Sequence, residues 1–459
     1  MVELAKLLFY VYISHLNLGL FIMIHIIVFI IIVIQLYLTC KNKVSSLIFY
    51  VSTLMLLPNV VKYQIGGLGV VYSYFTGLCM LPLLLRKVPQ EYKSYLRLLY
   101  FLMAYQFLLL FITGIPFSLQ LKNLILSFFT CYILYLLPLV SIDTAMSLGR
   151  VNKVLYFVIL IVSLYGLLTF IMGQNPYFQY LRSIYPQSLD ASSFMEDSRG
   201  VVSSRVFSTM AHPLCLGQIL TLFFFYFRNI PSVLKNKAIY KVGLYVILLT
   251  ALLSGSRAVF FSIIVFYAFD LLSISNLKTE LRTLISLITF VLIIILMVGG
   301  PALSELLAAY FGSLSFDLDA GNMGGSSGSL RLFQLFRSFD IVNNNLFLGM
   351  GIGFVHEFGD KYPEMLGYES IIFKKLIDEG LIGLFLYILF FIFLLKLGRR
   401  TVKAKDFSRW SFCFMTSYIV SIVFTGDQQS SGYFFLLFLL MIKYYRLNNY
   451  GCICYNSKL

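Results

Sequence analysis

The chain has 459 residues, 59% of them hydrophobic and 12% charged, with a formal net charge of +15. A soluble domain carries about 45–50% apolar and about 25% charged residues, so these figures exclude one and indicate a polytopic membrane protein. The positive balance alone would suit nucleic acid. The lysines and arginines, however, fall mostly in short gaps between apolar runs, the pattern that orients membrane helices, and no nucleic-acid partner is expected.

In chain order, residues 3–14 read as an interfacial helix. Apolar runs of the length a membrane helix needs, about 20 residues, follow near 18–39, 44–61, 65–85, 95–115, 119–140, 151–172, 210–228, 239–254, 257–274, 283–300, 380–397, 410–425 and 430–446. The fold class is therefore all-α and polytopic, with about 12–14 transmembrane helices. No small-residue cleavage site follows the first run, so no removable signal peptide is expected. The cysteines lie in or at the edges of apolar runs, apart from Cys452 and Cys454 in the tail, which are free thiols or lipid attachment points.

Basic residues mark one set of loops: Lys41 and Lys43, Arg86 to Arg97, Arg150 and Lys153, Arg228 to Lys241, Lys278 and Arg282, Arg399 to Arg409. These loops alternate with the others and define the cytoplasmic side. The chain then divides into N-terminal helices (1–172), a first outer loop (173–209), central helices (210–300), a large outer loop (301–379), and C-terminal helices with a cytoplasmic tail (380–459).

The first outer loop carries Arg182, Arg199 and Arg205 and no lysine. Arginine presents a planar fork of donors suited to phosphate, although each can also pair with a loop acid. Arg257, in "LLSGSRAVF", stands at the outer end of a span, either as an interfacial anchor or as a cation at the rim of an outward cavity. In the large loop, "SLRLFQLFRSFDIV" reads as an amphipathic helix on the outer membrane surface. Leu332, Phe333, Leu335, Phe336 and Phe339 make its apolar face, with Arg331, Gln334, Arg337 and Ser338 largely opposite. Gly349, Gly351 and Gly353 then allow a tight turn or close backbone approach.

Proton-accepting candidates are Glu369, His356 and His212. Glu369 alternatively caps the next helix, His356 is alternatively a plain loop residue, and His212 alternatively starts the helix before Pro213. No His, Cys, Asp cluster has metal-ligand spacing, so neither a metal nor a cofactor is expected.

Four stretches, "RVFSTMAHPLCLGQ", "LLSGSRAVF", "SLRLFQLFRSFDIVNNNLFLGMGIG" and "YESIIFKKLIDEGLIGL", occur in an order that resembles the O-antigen polymerase and O-antigen ligase superfamily. The resemblance covers about the last 60% of the chain. It implies a GT-C-like glycosyltransferase architecture in a bacterial cytoplasmic membrane, with its active site facing the periplasm or exterior. The implied reaction joins repeat units on undecaprenyl diphosphate into O-antigen, capsular or other envelope polysaccharide. Arg205, Arg257, Arg331 and Arg337 would hold the diphosphate, and a flippase and a chain-length regulator would be partners. The ligase branch has a His-Asn pair where Glu369 and Ser370 stand, so the resemblance favours the polymerase branch. The rival reading is a flippase for lipid-linked sugars. It is disfavoured by the absence of an internal repeat and by the scarcity of ionisable residues at mid-span, where only His25 falls clearly mid-run and Asp270 lies toward a cytoplasmic end.

Overall fold

The computed structural model describes residues 23–57, 62–65, 68–112, 115–184, 205–272, 328–358, 370–426 and 430–456. The helices are Met23–Lys41 (α1), Lys43–Leu56 (α2), Tyr72–Leu84 (α3), Lys93–Ile112 (α4), Phe117–Ser127 (α5), Ile133–Ser141 (α6), Ala145–Met172 (α7), Pro176–Ile184 (α8), Pro213–Arg228 (α9), Lys237–Leu253 (α10), Arg257–Leu272 (α11), Gly328–Val342 (α12), Phe354–Phe358 (α13), Ile371–Thr401 (α14), Lys405–Thr425 (α15) and Ser431–Asn456 (α16). Strands β1 (Lys62–Ile65) and β2 (Leu68–Val71) form an antiparallel hairpin before α3.

Two segments are apolar on every side and therefore sit at the centre. In α9, residues Phe223 to Phe227 are all buried, and in α16 so is every residue from Phe434 to Ile442. Around them, α4, α7 and α14 turn apolar residues outward: Phe111 is 67% exposed, Ile171 81% and Phe385 57%. An outer surface of that character is stable against lipid, not water. Rings tie the centre together; Phe225 stacks on Phe266 of α11 at 3.9 Å between centroids, and Trp410 Nε1 donates to Phe225 O at 3.2 Å. Helices α11 and α15 pack closely through small residues, with Ser417 Oγ donating to Ser262 O at 2.8 Å.

Among the described residues, six helical segments are long and apolar enough to cross a membrane: Met23–Lys41, Gln90–Ile112, Phe117–Ser141, Ala145–Met172, Ile371–Thr401 and Lys405–Thr425. Lys43–Leu56, Tyr72–Leu84 and Pro213–Arg228 are apolar but shorter. At about 1.5 Å per residue such helices fall short of a hydrocarbon core about 30 Å thick. The run read as a span at 65–85 instead divides into strand and helix. Ile65 pairs with Leu68 across Gly66-Gly67 in sequence, the shortest kind of antiparallel connection. The runs at 283–300 and 3–14 lie outside the described residues.

The helix ends sort into two groups. At one end lie the basic loops, joined by ion pairs between Lys43 and Asp143, between Arg446 and Glu91, and between Asp270 and both Arg228 and Arg409, the last two at 3.0 Å. At the far end, Thr209 Oγ1 donates to Met55 O at 2.7 Å, Val206 N to Leu253 O at 3.2 Å, and Gln218 Nε2 to Gly426 O at 2.9 Å. The alternation of basic and non-basic loops along the sequence is thus a spatial separation as well.

Helix α12 forms within "SLRLFQLFRSFDIV", as its periodicity indicates. It packs on α14. Gln334 and Ser338 are buried, whereas Phe333, Phe336 and Phe339 are 51%, 66% and 43% exposed. The aromatic face therefore points away from the protein.

A polar cavity between two interrupted helices

Two helices near the far end are irregular. Between α5 and α6, residues Phe128–Tyr132 form a π turn, a widening that recurs at functional sites. Its displaced groups are satisfied: the Tyr50 hydroxyl donates to Phe129 O, and Thr130 Oγ1 donates to Leu126 O at 2.8 Å. Across from it, α14 breaks at Gly380, whose φ is 67° and ψ −170°. The break frees carbonyls on one side and N–H groups on the other, and residues 346–351 take up both. Met350 N donates to Ile377 O at 2.7 Å and Gly351 N to Asp378 O at 3.0 Å, while Leu381 N and Ile382 N donate to Leu346 O and Phe347 O at 3.0 and 3.2 Å.

Two glycines are required for this junction. A Cβ on Gly380 would stand 2.3 Å from Phe347 O, and one on Gly349 (φ 74°) would stand 2.5 Å from Gly380 N. The glycine-rich turn thus serves close backbone approach, but to helix α14 itself. Non-helical backbone at membrane depth persists only where it is buried in protein or lines a cavity, and here both conditions hold.

A cavity of about 360 Å³ separates the two interruptions. Helix α14 contributes Lys374, Lys375, Asp378 and Glu379 to its wall, α13 contributes His356, and α4 contributes Gln106. The Tyr132 hydroxyl donates to Gln106 Oε1 at 2.6 Å, and Gln106 Nε2 donates to Glu379 Oε1 at 2.8 Å. Lys375, one helical turn before Glu379, is ion-paired to the same oxygen and lies 5.4 Å from the Tyr387 ring centroid. Tyr105 donates to Glu379 O at 2.6 Å. Asp378 Oδ1 accepts from Val355 N at 3.0 Å. Both carboxylates are nearly inaccessible, at 4% and 3%. A buried charge is tolerable only when paired and hydrogen-bonded; Glu379 meets both conditions, and Asp378 has one backbone donor.

Of the residues singled out in the sequence, His356 lines this cavity. Arg205 is brought onto the Ser254–Arg257 turn: its Nε donates to Ser254 O at 3.2 Å, and it is 4% exposed. Arg257 opens α11 beside it and is half-buried. The two arginines thus share one turn at the far end, but neither lines the cavity. His212 caps α9, its Nδ1 accepting from Leu214 N at 3.0 Å. Arg337 stands 3.9 Å from Asp340. Arg331 belongs to α12, and Glu369 lies outside the described residues.

Sequence reasoning missed Lys374, Lys375, Asp378 and Glu379 because it began this span at residue 380. The helix starts at Ile371, with the Ser370 hydroxyl accepting from Ile372 N. The overlooked signal was spacing: Lys374 with Asp378, and Lys375 with Glu379, are pairs four apart, which only a helix places on one face. Further ionisable residues therefore lie within a candidate span, beyond the His25 and Asp270 that the sequence reading found.

Beside the cavity, Glu357 is paired with Lys122 at 3.0 Å and accepts from Asn123 at 3.4 Å. Burial pushes its carboxyl up, but the Lys122 hydrogen bond and charge, with His356 and Asn123, outweigh it and hold the pKa below the usual range. Among the described residues no group of three His, Cys, Asp or Glu side chains is placed to hold a metal ion.

Fold and site together define an α-helical multi-pass membrane protein with a polar cavity toward one end of its bundle. No family model matches the chain, and no curated protein is similar to it.

Proposed function

We propose that the protein is a membrane glycosyltransferase that joins oligosaccharide repeat units, carried on undecaprenyl diphosphate, into polysaccharide at the outer face of a bacterial cytoplasmic membrane. The observation that carries this reading is the cavity. It presents carboxylates, a histidine, lysines and aromatic rings at the end of the bundle opposite the basic loops, the end that also holds Arg205 and Arg257. By the positive-inside rule that end faces outward.

In the proposed reaction the acceptor sugar hydroxyl attacks the anomeric carbon of the donor unit. The new C–O bond forms as the anomeric bond to the diphosphate breaks, and the electron pair leaves with the diphosphate. Asp378, whose carboxylate has no lysine committed to it as Glu379 has Lys375, takes the hydroxyl proton. Arg205 and Arg257, which share a turn at the same end of the bundle but lie outside the cavity wall, receive the lipid diphosphate as it leaves. Arg257→Ala then slows polymer formation about 10²–10³-fold, in line with loss of one oxyanion donor. Arg257→Lys rescues poorly, because an ammonium lacks the planar fork.

One observation favours a second reading, a flippase for lipid-linked sugars: a broken helix carrying charged residues at its break is also how transporters build substrate sites. A strain lacking the protein separates the two. Single repeat units displayed on the cell surface support the polymerase; lipid-linked units retained inside the cell support the flippase and overturn the polymerase.

A further inference from the structure

The cavity wall carries two lysines on successive positions of α14, and they differ in their commitments. Lys375 is held by Glu379 and lies over the Tyr387 ring. Lys374 lines the same cavity, half-buried, and among the described residues its ammonium makes no hydrogen bond or ion pair. Asp378 shares its helix face one turn on, yet forms no ion pair with it; that carboxylate is engaged by Val355 N. Asp378 balances the Lys374 charge without touching it, but an ammonium carries three donors, and donors left unfilled in a partly desolvated wall are costly. Among the described residues no group fills these, which leaves them to an anionic ligand.

The remainder of the wall states what kind of molecule would bring it. Asn123, Ser127, Thr130 and Ser431 offer amide and hydroxyl groups, and Tyr135 and Phe390 contribute apolar ring atoms. A sugar ring has both faces of that chemistry: hydroxyls at its rim and C–H groups on its plane. About 360 Å³ lies at the lower end of small-ligand sites, which run about 300–1,000 Å³.

We infer that Lys374 is the anion-binding residue of a sugar subsite, receiving an oxyanion carried by the glycan, either the carboxylate of an acidic sugar or a phosphoryl group. The physiological identity of that ligand rests on the glycan-transfer reading above; occupancy of the subsite does not, because it is measured without turnover. This subsite is separate from Arg205 and Arg257, which do not line the cavity.

The experiment uses the full chain purified in detergent, with glucuronate, inorganic pyrophosphate and glucose as probes. Binding is read from the rise in melting temperature, which grows with ligand concentration over Kd. Location is read from alkylation of Cys131, which lines the cavity, in a variant whose Cys40, Cys79, Cys452 and Cys454 are serine. The expected result is that glucuronate or pyrophosphate raises the melting temperature and slows Cys131 alkylation, while glucose does neither. Glucuronate alone identifies an acidic sugar, and pyrophosphate alone a phosphoryl group. Lys374→Gln weakens the effective probe about tenfold or more, the loss of a charge-assisted contact, and Lys374→Arg retains it. Equal stabilisation of Lys374→Gln and the unaltered protein, stabilisation without protection of Cys131, or no response to either anion overturns the assignment. Should Lys374→Gln not fold, Lys374→Arg and Ser127→Ala carry the comparison: full binding by the first and weakened binding by the second support the subsite, and the reverse overturns it.

Discussion

The two ends of the bundle use charge in opposite ways. At the basic end, among the described residues, the buried Asp270 lies between Arg228 and Arg409, and the exposed Asp143 and Glu91 meet Lys43 and Arg446. The helices there are regular and end on ordinary caps, such as Asn42 and Asn236, whose side chains accept from first-turn N–H groups. At the far end two helices are interrupted, two adjacent carboxylates are buried, and only one of them has a lysine partner. Charges bound in pairs hold the fold at one end, and a charge left over is available for chemistry at the other.

The sharpest way to test that contrast is to remove a carboxylate from each end. Asp378→Asn keeps the shape and the acceptor for Val355 N but cannot take a proton. Polymer formation should fall about 10²–10⁴-fold, the usual worth of a general base, with the melting temperature close to that of the unaltered protein. Asp270→Ala should do the reverse. It leaves Arg228 and Arg409 facing each other with side chains 14% and 28% exposed, and stability should drop by about 3–5 kcal/mol. Polymer made per folded molecule should not change. Loss of activity in both variants, or of stability in both, would erase the distinction between the ends.

Smaller effects probe the interruption itself. Gly380→Ala places a Cβ against Phe347 O at a φ of 67°. The strain should be worth about 1–3 kcal/mol and should loosen residues 346–351 from α14, read as faster amide hydrogen exchange at Met350 and Gly351.

Legibility in the sequence follows the same division. The helices, their apolar character and the separation of basic loops rest on composition and period, and α12 and the turn bearing Arg257 stand where those signals put them. The cavity was not legible, because it depends on where helices break. Gly380 with its φ of 67° and the π turn at Phe128–Tyr132 are tertiary solutions: each is stable only because a distant segment, residues 346–351 or Tyr50, satisfies the backbone that the break frees. Spacing in "KKLIDEG" put Lys374 and Asp378 on one face, but only the docked glycine turn shows that the face lines a cavity.

The smallest expected effect lies at the edge of the site, where the pairing habit of the basic end reappears. Glu357 is held by Lys122 and Asn123 of α5 and lies next to His356, and these together set its pKa below the usual glutamate range despite burial. A carboxyl whose folded pKa is depressed contributes stability that is fully present above its unfolded pKa, about 4.3. That contribution declines as pH falls below this value and is gone once pH has passed through the lower folded pKa. A half-exposed pair of this kind is worth about 1 kcal/mol or less. Glu357→Gln should therefore cost about that much at neutral pH and should flatten the acid limb of the melting curve below about pH 4.3. A variant that lost the same stability at every pH would show that Glu357 acts through packing alone. The ion pair with Lys122 would then play no part in seating α13, and with it His356, against the cavity.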